Sequence, residues 1–174
     1  LINHGIIKDI FWRDNNKKYQ WIENCDFTYT CVFDGRENEK AVLVFEGLDT
    51  YCDIYLNGEK IGSAKNMFIP YNFDVSGKLK VKDNLLEVKF RSPIKEIEGL
   101  PLCEGAFTTE RIRTRRIQCT YGWDWVDRFV TCGIFRPTYI LFENEMMLQD
   151  VYVSTTSIDK YSAQVKITEH FKKF

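Results

Sequence analysis

Along most of this chain, apolar and polar residues alternate with a period of two, the spacing that sends successive side chains of a strand to opposite faces. In residues 27–33, Phe27, Tyr29, Cys31 and Phe33 share one face. Residues 41–45 form a continuous apolar run, short enough for a strand buried on both sides. Cys52-Asp53-Ile54-Tyr55-Leu56 alternates and runs into Asn57-Gly58. That dipeptide is a strong hairpin signal, because a type I′ turn needs positive φ at both central residues. The chain is then expected to return through Glu59-Lys60-Ile61-Gly62. Residues 67–73 hold another apolar segment, in which Pro70 marks an edge or a bend. Leu86, Val88 and Phe90 point one way, with Glu87, Lys89 and Arg91 opposite, and Ser92-Pro93 ends that strand.

The middle of the chain breaks the pattern. Ile94 and Ile97 have helical spacing and run into Gly99 and Pro101, which predicts one or two helical turns over 94–100. Arg111, Arg113, Arg115 and Arg116 form a basic cluster. Strand character returns over 128–134 and 138–142. Short strands with turn signals between them predict an all-β fold, a jelly-roll β-sandwich, rather than a helical or α/β domain. Glu143-Asn144-Glu145 reads as a boundary, so the expected division is 1–143 and 144–174. Beyond it, residues 150–153 and 163–167 read as two fresh strands. Two strands cannot bury a core alone. They open a second β domain or form a tail folded back on the first.

Composition narrows the function classes. Apolar residues make up 44% of the 174 positions and charged residues 28%, which suits a packed core. The formal net charge of −1 lacks the electrostatic footprint of a general nucleic-acid binder, so the arginine cluster is read as solvated charge or as a contact with another domain. No run approaches the ~20 apolar residues of a membrane span, and no membrane partner is expected. The first ten residues lack the basic start and long apolar stretch of a signal peptide, and Leu1 stands where an initiator Met would. The chain therefore reads as a piece of a longer protein. Its compartment is unknown from this stretch, with periplasm and lysosome as candidates. Six scattered cysteines contain no C-x-x-C pair, so neither a zinc site nor any other cofactor is expected. Free buried thiols are the expectation, and Cys119 with Cys132, flanking one loop, is the pair to check for a disulfide. His4 and His170 are assigned no role. Asp53, in an alternating strand, is read as outward and solvated rather than as half of a carboxylate pair with Asp49.

The segment richest in chemistry is Gln118-Cys119-Thr120-Tyr121-Gly122-Trp123-Asp124-Trp125. Two Trp bracketing an Asp suit a sugar site: aromatic faces pack on the C–H faces of a pyranose, and a carboxylate accepts from neighbouring hydroxyls. In strand geometry Trp123 and Trp125 share one face and Asp124 takes the other. All three reach one ligand only from a loop. The alternative is a Trp pair plugging one end of the sandwich, with Asp124 capping a turn.

These stretches, taken together, resemble the N-terminal domain of the β-mannosidases of glycoside hydrolase family 2. The resemblance rests on Asn3 to Asp9 with Gln20-Trp21-Ile22, and on Glu46-Gly47-Leu48-Asp49-Thr50 running to Asn57-Gly58. It continues through Asn66-Met67-Phe68, Phe73-Asp74-Val75 and Asn84 to Pro93, and closes with Arg115 to Trp125 and Thr131 to Pro137. The Tyr-Gly-Trp-Asp-Trp run leans toward the β-mannosidase branch. The resemblance implies a galactose-binding-like jelly roll, then an immunoglobulin-like domain, then a (β/α)₈ barrel carrying the two catalytic Glu of a retaining mechanism. By that match this chain holds no catalytic residue. Asp124 binds hydroxyls of a terminal β-linked mannose or similar sugar, and Trp123 and Trp125 shape the wall, with the barrel as partner.

The family usually follows Trp-Asp-Trp with Gly-Pro-Arg. Here Val126-Asp127-Arg128 replaces it, removing two residues with special backbone angles and adding a carboxylate. Tyr121, Trp123, Trp125 and Phe129 are expected to form an exposed apolar patch, through which the isolated chain would self-associate. The alternatives are another family 2 specificity (β-galactosidase, β-glucuronidase or exo-glucosaminidase), a free-standing carbohydrate-binding module, and a purely structural sandwich.

Overall fold

Two antiparallel sheets face one another across the alternating side chains of residues 52–56 and 84–90, whereas of the face expected over 27–33 Tyr29 and Cys31 are exposed. The computed structural model describes residues 1–37, 40–101, 109–143 and 146–173. An entry segment carries the short helix α1 (Asn15–Lys18) and a 3₁₀ turn at Gln20–Asn24. The strands β1 (Phe27–Phe33), β2 (Lys40–Phe45), β3 (Leu48–Asp49), β4 (Cys52–Leu56), β5 (Glu59–Ala64), β6 (Tyr71–Asp74) and β7 (Asn84–Phe90) follow. After a 3₁₀ turn at Lys95–Ile97 come helix α2 (Thr109–Arg113), a 3₁₀ turn at Gln118–Tyr121, and strands β8 (Gly133–Ile134) and β9 (Thr138–Glu143). The chain ends in β10 (Met146–Ile158) and β11 (Ala163–Lys173).

One sheet runs β1-β7-β4-β5 and the opposing one β6-β2-β9, with β3 and β8 as a short bridge between loops. In β4, Cys52, Ile54 and Leu56 are buried while Asp53 and Tyr55 are half-buried, and in β7 Leu86, Val88 and Phe90 repeat the pattern. Across the gap Ala41, Leu43 and Phe45 of β2 meet them in one apolar cluster. Val42 and Val44 lie on the other face of β2 and are buried too, so the continuous run is a central strand covered on both sides. Each such side chain contributes about 1.5–3 kcal/mol by leaving water, and Phe45 meets Phe73 edge-to-face at 6.2 Å. β6 begins directly after Pro70 and forms the edge of its sheet. The chain is thus the all-β sandwich that the spacing predicts.

The β4–β5 connection is the expected type I′ hairpin, with φ of 52° at Asn57 and 85° at Gly58. The Asn57 amide donates to the Lys78 carbonyl at 3.0 Å and its oxygen accepts the Leu85 N–H at 3.0 Å. Ser92, wholly buried, starts the Lys95–Ile97 turn by accepting the N–H groups of Ile94 and Lys95 at 3.2 Å each.

Three expectations are corrected. Residues 128–132 do not form a strand; only Gly133 and Ile134 pair, with β3. Their backbone is claimed by loops: the Gln20 side chain donates to the Arg128 carbonyl at 2.8 Å, and Phe129 N–H to the Thr120 carbonyl at 2.9 Å. Second, the arginine cluster is not simply solvated, because Arg116 is fully buried and Arg111 is 7% exposed. Third, Asp53 is outward but held in an ion-pair cluster, 2.8 Å from both Lys60 Nζ and Arg91 Nη1. Burial alone would raise the Asp53 carboxyl, yet hydrogen bonds from Lys60 and Ser63 and the Arg91 charge outweigh it and hold it below the usual range.

The five described cysteines carry free thiols, Cys119 and Cys132 among them, and Cys103 lies outside the described residues. Burial pushes the Cys52 and Cys132 thiols up to about 12. Asn144 and Glu145 of the expected boundary also lie outside them. β10 and β11 are longer than the sequence spacing indicates and pair with one another, not with a strand of the sandwich.

Candidate functional site

The loop from β7 to β8 places the Trp-Asp-Trp segment at one end of the sandwich. The 3₁₀ turn Gln118–Tyr121 ends at Gly122, whose φ of 94° and ψ of 140° favour a residue without Cβ. Arg128 packs against the same glycine at ordinary contact distance, its backbone nitrogen 3.4 Å from where a Cβ would sit, so it is the φ rather than the space that favours glycine here. Trp123 and Val126 then close a four-residue turn, Trp123 N–H to Val126 O at 2.8 Å and Val126 N–H to Trp123 O at 3.4 Å. Asp124 and Trp125 occupy its two corners. Both are exposed, Trp125 at 71%, while Trp123 is 44% exposed.

What lies beneath the turn is polar and buried, and its contacts reach residues distant in sequence, although Arg116 Nε and Nη1 have no hydrogen-bond partner among the described residues. Arg116 Nη2 donates to Asp49 Oδ2 at 2.9 Å with Arg116 fully enclosed. Burial pushes the Asp49 carboxyl up, and the Arg116 charge and the Thr50 hydroxyl pull it back only in part. Tyr121 is 3% exposed, its hydroxyl 2.9 Å from the Thr114 hydroxyl. Burial raises that phenol as well, against the Thr114 hydrogen bond and the Arg116 charge. The Tyr121 ring has the guanidinium carbons of Arg116 and Arg128 each 5.4 Å from its centroid. Arg128 Nε in turn donates to Glu23 Oε2 at 2.8 Å.

Side chains from three elements grip the turn itself. Arg111, on α2, stacks its guanidinium 4.7 Å from the Trp123 ring centroid and donates to the Gly122 carbonyl. Asn16, on α1, donates from Nδ2 to Asp127 Oδ2 at 2.6 Å. Gln20 holds the carbonyl of Arg128, as described above. The carboxylate that Val126-Asp127-Arg128 adds is therefore bound to α1. Neither Val126 nor Asp127 has positive φ, so the turn exit does not require the glycine it lacks.

An open cleft runs along the turn, lined by Arg111, Gly122, Trp123, Asp124, Asp127 and Arg128. It brings together two of the three expected site residues, Trp123 and Asp124; Trp125 is not among its walls. Tyr121 is not part of an exposed patch, contrary to expectation, because its ring is buried with the guanidinium groups of Arg116 and Arg128 against it, and Phe129 is half-buried. The residues that spacing does not reveal are Asn16, Gln20, Asp49 and Arg111. The one available signal was the arginine cluster, whose overall charge argument says nothing about which members turn inward. Among the described residues no group of three or more His, Cys, Asp or Glu is arranged to hold a metal ion.

A two-sheet antiparallel sandwich with an aromatic-acidic turn at its rim defines the class of domain. A solved structure, "Beta-D-Mannosidase from Dictyoglomus thermophilum", superposes with a TM-score of 0.91 and 34% sequence identity, covering 99% of this chain and 22% of that one. The chain belongs to the family described as "Glycosyl hydrolase 2 galactose-binding domain-like", which matches residues 1–136. Among curated relatives, "Beta-mannosidase B" of Thermothelomyces thermophilus is 34% identical over 97% of this chain and 21% of its own length. "Beta-mannosidase" of Capra hircus is likewise 34% identical, over 92% and 20%. The chain thus spans about a fifth of the length of the relatives it matches. It is an N-terminal domain of the kind found in family 2, β-mannosidase-like glycosidases.

Proposed function

We propose that this chain is the non-catalytic front domain of a retaining exo-glycosidase of the β-mannosidase type, and that its Trp123–Val126 turn completes the terminal sugar subsite. The single observation that carries the reading is the corner position of Asp124, exposed on a turn contacted by Arg111 and Asn16 and next to the partly exposed Trp123. An exposed carboxylate costs little in the free domain. Once a barrel covers the rim and excludes water, its hydrogen bonds to sugar hydroxyls are charge-assisted and gain strength. Trp123 offers its indole to the sugar's C–H face, and Trp125 supplies a second surface for ligand or barrel to cover. The catalytic acid/base and nucleophile belong to the barrel.

Residues 1–143 form the sandwich in this reading, and 144–174 open a second, immunoglobulin-like β domain. Supporting this, the register of the β10–β11 ribbon puts Leu148, Val151, Val153, Val165, Ile167 and Phe171 on one face, all of them about half exposed or more. Such a face needs a further layer.

The test is Asp124→Ala in the full-length enzyme. Loss of the sugar hydrogen bonds is expected to lower kcat/KM on a nitrophenyl β-mannoside by about 30- to 1,000-fold, equivalent to roughly 2–4 kcal/mol, with an unchanged melting temperature. A lowered melting temperature with full activity would mean that Asp124 only caps its turn. Repeating the assay with galactosides and glucosides identifies the hydroxyl that the carboxylate reads.

A further inference from the structure

The geometry points to Arg111 as a positioning residue for the Trp-Asp-Trp turn, acting through Trp123 and the Gly122 peptide rather than by touching the sugar. The inference rests on the subsite reading above and extends it to a residue outside the motif. Arg111 is 7% exposed although it carries a full charge, and it is anchored on α2. Its guanidinium does two things at once at the entry of the turn. It lies 4.7 Å from the Trp123 ring centroid, and its Nη2 donates to the carbonyl of Gly122. A cation over an indole is held more tightly when desolvated than when exposed, and the planar fork fixes ring and peptide relative to one another as a lysine ammonium does not.

Those two anchors are the residues immediately before Asp124. Gly122 has backbone freedom on both sides of φ = 0, so an unheld Gly122 peptide would let the turn swing as a unit. The exit of the turn is held independently by Asn16 through Asp127. Removing Arg111 therefore leaves the turn attached but free to pivot at its entry. A displacement of about 1 Å in a positioning element costs up to about a hundredfold in rate.

The experiment compares Arg111→Met with wild type in the full-length enzyme, using a nitrophenyl β-mannoside. The expected result is a fall in kcat/KM of about tenfold to a hundredfold, divided between kcat and KM in the same proportion as for Asp124→Ala. In a Trp123→Leu background the same substitution should cost clearly less than in the wild type, since only the Gly122 contact is then left to lose. Arg111→Lys, which keeps a cation by the indole, recovers part of the loss that Arg111→Gln shows. Activity within about twofold of wild type for Arg111→Met, or an undiminished loss in the Trp123→Leu background, overturns the inference. If Arg111→Met yields no folded enzyme, the Lys and Gln variants decide: Lys above Gln supports it, and equal activities overturn it. Full activity in Asp124→Ala defeats the subsite reading itself. An impaired Asp124→Ala beside an intact Arg111→Met defeats only the role of Arg111.

Discussion

The molecule contains two tight turns that are held in opposite ways. At Asn57-Gly58 the backbone does the work: both central residues have positive φ, the turn joins two paired strands, and the Asn57 side chain bonds backbone close by in space. At Trp123–Val126 the two central residues have ordinary φ, no strands flank the turn, and its shape depends on Arg111, Asn16 and Gln20 reaching in from elsewhere. The first is encoded by its own dipeptide. The second is encoded by residues up to 111 positions away. A turn of the first kind terminates a hairpin, whereas a turn of the second kind frees its corner residues to be chosen for chemistry.

The largest effect expected on this contrast comes from the layer under the second turn. Arg116→Met leaves Asp49 buried without its partner, and breaking a buried pair costs about 3–5 kcal/mol. The raised position of the Asp49 carboxyl softens that cost, since the acid can take up a proton, so about 3 kcal/mol is expected, read as a lowered urea midpoint with unchanged slope. Activity per folded molecule should fall with it, because Tyr121 loses one of its two guanidinium neighbours. A smaller effect is expected at the first turn. Asn57→Ala keeps a Cβ-bearing residue at positive φ, removes the side-chain hydrogen bonds to Lys78 and Leu85, and should cost about 1–2 kcal/mol, with kcat/KM unchanged. If Asn57→Ala altered the kinetics, or Arg116→Met left them untouched at full folding, the two turns would not be separate in function.

The same contrast explains what the sequence makes legible. Alternation in β4 and β7 and the continuous run in β2 are local signals, and each appears in the structure as an interior or a doubly covered strand. Asn57-Gly58 is equally local. The stretch 128–134 carries strand-like residues, but Gln20 and Thr120 claim its backbone, and no pattern within it announces a competitor 108 positions away. The arginine cluster fails for a related reason: net charge treats its members alike, whereas Asp49, 67 residues upstream, draws Arg116 inside. Trp123, Asp124 and Trp125 stand out by family resemblance rather than by spacing. The grip on them is visible only in three dimensions.

Whether the second turn presents Asp124 to a sugar is decided by a crystal structure of the full-length protein with a terminal mannoside bound. The expected result is an Asp124 carboxylate oxygen within about 3 Å of a sugar hydroxyl, the Trp123 ring against the sugar's C–H face, and the Trp123–Val126 turn closed by the same two backbone hydrogen bonds. A bound sugar whose nearest hydroxyl lies beyond about 4 Å from Asp124, with no bridging water, would contradict it.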